Sequence, residues 1–259
     1  MAPVAGTCYF SLQWNFLFPT QITRGVEFAE RPVYPKDRDR SDYERKNQPT
    51  HTGVFNKSMN NPRNLILASG SDIRQSLLRN AGVSFDVVVG RIDEEAIRDT
   101  LQSEGASPRE IADALAEGKA RKVSMKHPDA MVIGCDQTLS FKGRLISKAR
   151  DIEEAREILG EMRGERHKLL SAAVIYENGE PKWRHVGEVR LEMNRISDDY
   201  LDDYLARNWH EVRHCVGSYM LEAEGVRLFS RIDGDYFTVL GLPLLPLLSY
   251  LSERKVIAS

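Results

Sequence analysis

The chain is poor in most of the features that would place a protein at a glance. It has three cysteines in 259 residues, Cys8, Cys135 and Cys215, too far apart to make a CxxC pair. That excludes a disulfide scaffold and a zinc site built on paired thiolates, and it suits a reducing cytoplasm. No apolar run approaches the length of a membrane span. The aromatic and apolar stretch 8–19 is interrupted by Gln13 and Asn15 and lacks a basic flank and a small-residue cleavage site, so it does not read as a signal peptide. Neither sign of charge dominates: 36 Lys and Arg face 38 Asp and Glu. That balance gives no electrostatic case for nucleic acid or an anionic membrane as partner. The six histidines show no HExxH or paired spacing. No GxGxxG and no GxxxxGK[ST] loop occurs, and no Ser/His/Asp set suggests itself.

What is present begins late. From 30 to 48 charges and prolines dominate with no helical or strand period, and such a stretch buries too little to offset its ordering entropy. Regular alternation starts at Asn64. The expected organisation is therefore residues 1–58 as an unfolded extension or a mis-assigned start, with an ordered arm as the alternative, and one domain over 59–259. A chain begun at Met59 is expected to melt at the same temperature and turn over as fast as the full chain; a clear loss in either would make the first 58 residues part of the fold.

From Asn64 strands and helices alternate. A short apolar strand covers 65–68. The turn Ser69-Gly-Ser-Asp72 opens a helix that stops at Gly82. A second strand covers 85–89, and Asp93-Glu94-Glu95 after it reads as a solvated acidic loop. Ser107 and Glu110 make a capping box with Pro108 at the first helical position. The apolar run 130–133 ends on Gly134, Cys135 and Asp136. Hairpin turns are expected at Lys142–Gly143 and Asn178–Gly179. Asp151 and Ser197 cap two helices, the second reaching about Arg207. Two further strands, 226–232 and 236–240, are expected to join at Asp233–Gly234, and Pro243 starts a closing helix. The pattern predicts an α/β fold, a mixed twisted sheet flanked by helices.

Ligands of such sheets gather beyond the ends of the strands, so Asp136, read as a strand-end carboxylate, is the first candidate for chemistry. The bland alternative is a turn or cap residue. The turn at Ser69, Ser71 and Arg74 sits where a helix N-terminus offers free N–H groups to phosphate, although Ser71 or Asp72 reads equally well as an ordinary N-cap. Lys119, on an apolar helix stripe, would usually snorkel outward, and Lys148 would usually be solvated. Carboxylates near a phosphate site would hold Mg²⁺, a hard cation that takes oxygen ligands.

Taken together these segments resemble the Maf family of nucleoside triphosphate pyrophosphatases. The family's LASxSPRR turn appears as LASGSDIR over 67–74, its VDE as IDE over 92–94, and its LAxxKA as LAEGKA over 115–120. Its G(A/S)D(T/Q) appears as GCDQ over 134–137, its GKP as SKA over 147–149, its GSY as Gly217-Ser-Tyr219, and its GDYxxVxGLP is complete over 234–243. The resemblance spans about 64–253 and implies a central nucleotide-binding groove, as in inosine triphosphatases. It implies Asp136 as the base or water-orienting group, Glu94 and Asp136 as ligands of a divalent cation (Mg²⁺ or Mn²⁺), and Ser69, Ser71, Arg74, Lys119 and Lys148 as phosphate ligands. It also implies a homodimer in the cytoplasm. Three positions it marks for base choice, Ile73, Gln137 and Glu222, match the 7-methyl-GTP branch at the last two; the dTTP/UTP branch is the alternative. Asp72 and Ile73 replace the family's Pro-Arg, removing a cation and adding an anion beside the phosphates. That leaves room for a reading of another class, a nucleotide-binding regulator of cell division with little turnover.

Overall fold

The computed structural model describes residues 64–258; the expectation for 1–58 lies outside them. The elements in chain order are β1 (Leu65–Leu67), α1 (Asp72–Asn80), β2 (Asp86–Val87), α2 (Glu94–Ser103), α3 (Pro108–Ser124), β3 (Met131–Phe141), β4 (Arg144–Ile146) and α4 (Ile152–Met162). They continue as β5 (Arg166–Glu177), β6 (Glu180–Met193), α5 (Asp198–Val212), a 3₁₀ turn (Glu224–Leu228), β7 (Phe229–Asp233), α6 (Tyr236–Val239) and α7 (Leu244–Glu253).

The strands form one mixed sheet in the order β2-β1-β3-β5-β6-β7, with β4 also on β3. β2, β1 and β3 run parallel, and the rest are antiparallel. Both hairpins turn where the sequence places them. All four residues at Lys142–Gly143 and Asn178–Gly179 have positive φ, the two-residue turn whose twist matches that of the strands. Ser71, Asp93, Ser107, Asp151 and Ser197 each cap a helix with a side-chain oxygen, satisfying one of the free N–H groups there.

Five expectations change. Asp93-Glu94-Glu95 is not a loop: Asp93 accepts from Ala96 N at 3.0 Å, and the two glutamates form the first turn of α2, where the helix dipole favours them. Residues 236–240 are not a strand. Asp235 accepts from Thr238 N at 2.8 Å, and that cap turns the segment into the short helix α6. The strand before it begins at Phe229, because residues 224–228 coil into the 3₁₀ turn. Helix α5 runs past Arg207 to Val212, which is buried against the sheet.

The fifth expectation, that Asp136 ends a strand, also needs correcting. β3 continues through it to Phe141. β5 covers one edge of β3 over its whole length. On the other edge β1 pairs only with 131–133 and β4 only with 139–141. Between them, residues 134–138 have an open edge with no strand partner, and Asp136 stands at its middle. The parallel part of the sheet does end there, which is why a strand-end signal was legible in an uninterrupted strand.

Side chains of β3 alternate between faces. Met131, Ile133 and Cys135 pack with Leu77, Leu78, Leu247 and Leu251 of α1 and α7, while Val132 packs with Ala112, Ala116 and Ala120 of α3. This alanine stripe lets α3 lie directly on the strand. A Cβ added to Gly134 would stand 2.1 Å from Ala116 O and 2.6 Å from Ala120 N. The contact is with backbone, so it cannot relax by a rotamer change. Gly134→Ala is expected to destabilise the domain by about 1–3 kcal/mol, the usual range for overpacking a core. An unchanged urea midpoint would show that α3 can lift off the strand freely.

Candidate functional site

The close packing at Gly134 determines where Lys119 goes. Asp136 points to the same face as Gly134, toward α3. Lys119, one residue before the buried Ala120, reaches along that face and places Nζ 2.6 Å from Asp136 Oδ1. The segment after β2 brings a second carboxylate. A Cβ on Gly90 would stand 2.7 Å from Lys119 O, and Ile92 packs on Gly118, so the loop lies flat on the α3 backbone. Glu94, two residues on, puts Oε1 2.9 Å from the same Nζ. One ammonium thus joins two carboxylates from different elements. The Asp136 and Lys119 side chains are about nine-tenths buried, whereas Glu94 is 43% exposed. Burial pushes the Glu94 carboxyl up, but Lys119, with Lys148 and Arg98 behind it, outweighs this and holds it below the usual carboxylate range.

A second group of donors stands on the other side of the open edge. Arg74, from the first turn of α1, donates through Nη1 to Cys135 O at 3.1 Å and to Ser69 Oγ at 3.3 Å. Its Nε donates to Gly241 O at 2.7 Å. The guanidinium therefore occupies part of the gap that β1 and β4 leave on β3. Its Nη2 has no acceptor among the described residues and remains available to an anion. Ser69 is buried and also accepts from Ser71 N at 3.3 Å, while Ser71 caps α1. The N–H groups of Asp72 and Ile73 lie in the first turn, where no intrahelical acceptor exists. The Asp72 carboxylate is exposed, so its charge is largely screened by solvent.

The other candidates take varied positions. Lys148 is exposed just after β4, yet close enough for its charge to act on Glu94 and on Cys215. Glu222 is exposed, close enough for its charge to act on Cys215. Burial, with Glu222 adding to it and Lys148 opposing it, pushes the Cys215 thiol up to about 11. Lys148 thus acts electrostatically both on Cys215, with Glu222, and on Glu94 of the Lys119 cluster. Ile73 is half-buried in the apolar cluster of α1 and α7. Gln137 points to the opposite face from Asp136, where its amide meets α6. Cys135 is fully buried, which pushes its thiol up to about 11 and leaves it neutral as expected. Sequence reasoning missed the carbonyls of Cys135 and Gly241 that fix Arg74, because a main-chain acceptor has no residue-type signal. The only hint was the GLP run at 241–243.

Among the described residues no three His, Cys, Asp or Glu side chains converge as a metal cage. Glu94 and Asp136 nevertheless suit Mg²⁺ or Mn²⁺, since such ions are often held by one or two carboxylates with substrate phosphates completing the shell. Both oxygens already face one cationic centre, the Lys119 ammonium. A cavity of about 370 Å³ lies elsewhere, between the α2–α3 loop and the β3–β4 turn. None of Ser69, Arg74, Glu94, Lys119 or Asp136 lines it.

Comparison with known proteins agrees with this arrangement. The family model described as "Maf-like protein" matches residues 64–254. A nucleoside triphosphate pyrophosphatase of Ruegeria pomeroyi is 63% identical over 193 residues, covering 74% of this chain and 97% of that protein. One from Ruegeria sp. (strain TM1040) is 60% identical over the same shares. A 7-methyl-GTP pyrophosphatase of Rhizobium meliloti is 48% identical, again over 74% of this chain and 97% of that protein. The family match takes in β1 through the final helix, and with it each residue of the Asp136–Lys119–Glu94 cluster and the Arg74 turn: the chain belongs to the Maf family.

Proposed function

We propose that the chain hydrolyses the α–β anhydride of a nucleoside triphosphate, releasing the nucleoside monophosphate and pyrophosphate. The observation that carries this is the single ammonium of Lys119 between Asp136 and Glu94, facing the guanidinium of Arg74 across the open edge of β3. Two cations thus meet the same stretch of β3, Arg74 at the carbonyl of Cys135 and Lys119 at the carboxylate of Asp136. Attack on phosphorus needs positioning and charge neutralisation more than covalent help, and this is what the set can provide. The names of the relatives support the same reaction.

In this reading Arg74 Nη2, Ser69, Ser71 and the first-turn amides of α1 bind the phosphates on one side, and Lys119 and Lys148 on the other. Asp136 orients a water and takes its proton as the water oxygen bonds to the α-phosphorus. The α–β bridging bond breaks and pyrophosphate leaves with the electron pair. Glu94 and Asp136 would hold a divalent cation, which when bound supplies further neutralisation of the phosphate oxygens. Release of pyrophosphate from a panel of nucleoside triphosphates with Mg²⁺ or Mn²⁺ tests the reaction; no release from any of them would favour the regulator with little turnover.

The favoured substrate is 7-methyl-GTP or a similarly modified purine nucleotide. Glu222 supports this. It is exposed, and its charge acts on the same thiol, Cys215, as that of Lys148. A carboxylate attracts the positive charge of 7-methylguanine and accepts from its N1–H and amino group. Ile73 offers an aliphatic surface rather than a stacking one. Losing a hydrogen bond to a charged group costs about 1.5–3 kcal/mol, or roughly 10–100-fold. Glu222→Gln should therefore lower kcat/KM for 7-methyl-GTP by that factor and change UTP and dTTP little. An equal loss on all three would assign Glu222 to the metal or the fold instead.

A further inference from the structure

Arg74 is held in place by three acceptors, and they are not equally secure. Cys135 O belongs to β3, and Ser69 stands in the tight turn after β1. Gly241 O belongs to the turn between α6 and α7, so the position of Arg74 Nε depends on how firmly that turn is fixed. The guanidinium packs flat on it. Gly241 has φ 91°, and a Cβ there would meet Arg74 Nε and Nη2 at 3.1 Å each.

What fixes the turn is Gln137. Its Nε2 donates to Val239 O at 2.9 Å, to Thr238 O at 3.2 Å and to Ser171 Oγ at 2.9 Å. Ser171 Oγ, fully buried on β5, donates to Thr238 O at 2.7 Å. α6 has four residues, far too few to hold a helical turn on their own. Two side chains of the sheet therefore seat the last carbonyls of α6, and Gly241 follows two residues after Val239. Gln137 spends its amide donors on the backbone that carries Gly241, on the face of β3 opposite to Asp136.

We propose that Gln137 is a positioning residue for the phosphate arm: through α6 and Gly241 O it sets where the Arg74 guanidinium lies. This rests on the nucleotide reading above. It separates the β3 dipeptide into two functions by strand alternation, with Asp136 acting on the reaction from one face and Gln137 acting on the phosphate-binding arginine from the other. The resemblance marks this position for base choice, whereas its hydrogen bonds lead to Arg74, so its effect should be the same whatever base the nucleotide carries.

The test is a double-mutant cycle read by calorimetric binding of the α,β-methylene analogues of UTP and GTP, which share phosphates, differ in base and cannot be cleaved at the α–β position. Gln137→Ala is expected to weaken both analogues by the same factor, about 10-fold. In an Arg74→Ala background it should weaken them hardly at all, since residues acting as one unit are not additive. If Gln137→Ala does not fold, Gln137→Met, which keeps the length of the side chain but has no donor, should show the same pattern of loss. Additive losses, or losses confined to one base, would overturn the inference while leaving the nucleotide reading intact. No binding of either analogue to the unaltered protein would overturn the nucleotide reading, and this inference with it.

Discussion

Asp136→Asn is expected to lower the rate of pyrophosphate release by roughly 10²–10⁴, the usual contribution of a general base, while leaving the fold intact. Asparagine keeps the shape of the side chain, so β3 and its contact with α3 are undisturbed. It loses the charge and the basicity. Lys119 Nζ then keeps only Glu94 at 2.9 Å, a partner that is half in solvent. The buried ammonium is left partly uncompensated, and that costs stability. The melting temperature should fall modestly, and the rate should fall by far more than the lost folded fraction can explain. A comparable loss in KM alone would make Asp136 a binding group, because an interaction made only in the transition state appears in kcat. Near-normal turnover would remove Asp136 from the hydrolytic step altogether.

How Asp136 was found says what a sequence can show. The run 131–136 announces a buried strand delivering an acid, and both the acid and its surroundings are real. The strand was misread as ending there because the evidence for an end, a polar residue after an apolar run, is the same when only one neighbouring strand stops. That is a property of β1 and β4, which the run itself does not encode. Local signals fared best. The caps at Ser107, Asp151 and Ser197 and the two hairpin turns depend on neighbours within four residues, and they stand where expected. Residues 236–240 failed for the opposite reason: an alternation-like string suggested a strand, but Asp235 as a cap and the seat made by Gln137 and Ser171 turned it into a helix. The assembly of Lys119 with Glu94 was not legible in spacing. It depends on Gly90 and Gly134 allowing backbones to touch, and a glycine in a sequence does not say what it lies against. The resemblance brought these residues together before the packing could explain why they meet.

His167 is the other residue from which a large effect is expected, and its place in the sequence gives no hint of it. It lies on β5, is 2% exposed, and shares a hydrogen bond of 2.8 Å between Nε2 and Tyr219 Oη. Phe229 packs against both rings. Among the described residues its Nδ1 has no partner, and neither does the buried hydroxyl of Ser218 next to Tyr219. Burial lowers the His167 pKa from 6.5 to about 4, so the imidazole is neutral in the folded protein at neutral pH. The unfolded chain binds the proton first as pH falls. Between pH 6.5 and about 4 the unfolded state therefore carries more protons, and stability declines with falling pH across that window; above it the residue has no effect. At 1.36 kcal/mol per unit the whole decline is about 3 kcal/mol, and about 2 kcal/mol of it is complete by pH 5. Urea unfolding at pH 7 and pH 5 should show it. His167→Gln keeps a hydrogen-bonding group for Tyr219 but does not titrate, so its stability should vary less over the same range by that amount. Glu224, whose carboxyl Arg207 and Asn208 hold down at about 2, loses its contribution only at lower pH and does not obscure the comparison. Equal pH slopes for the variant and the unaltered protein would mean that the His167 imidazole finds a partner on protonation.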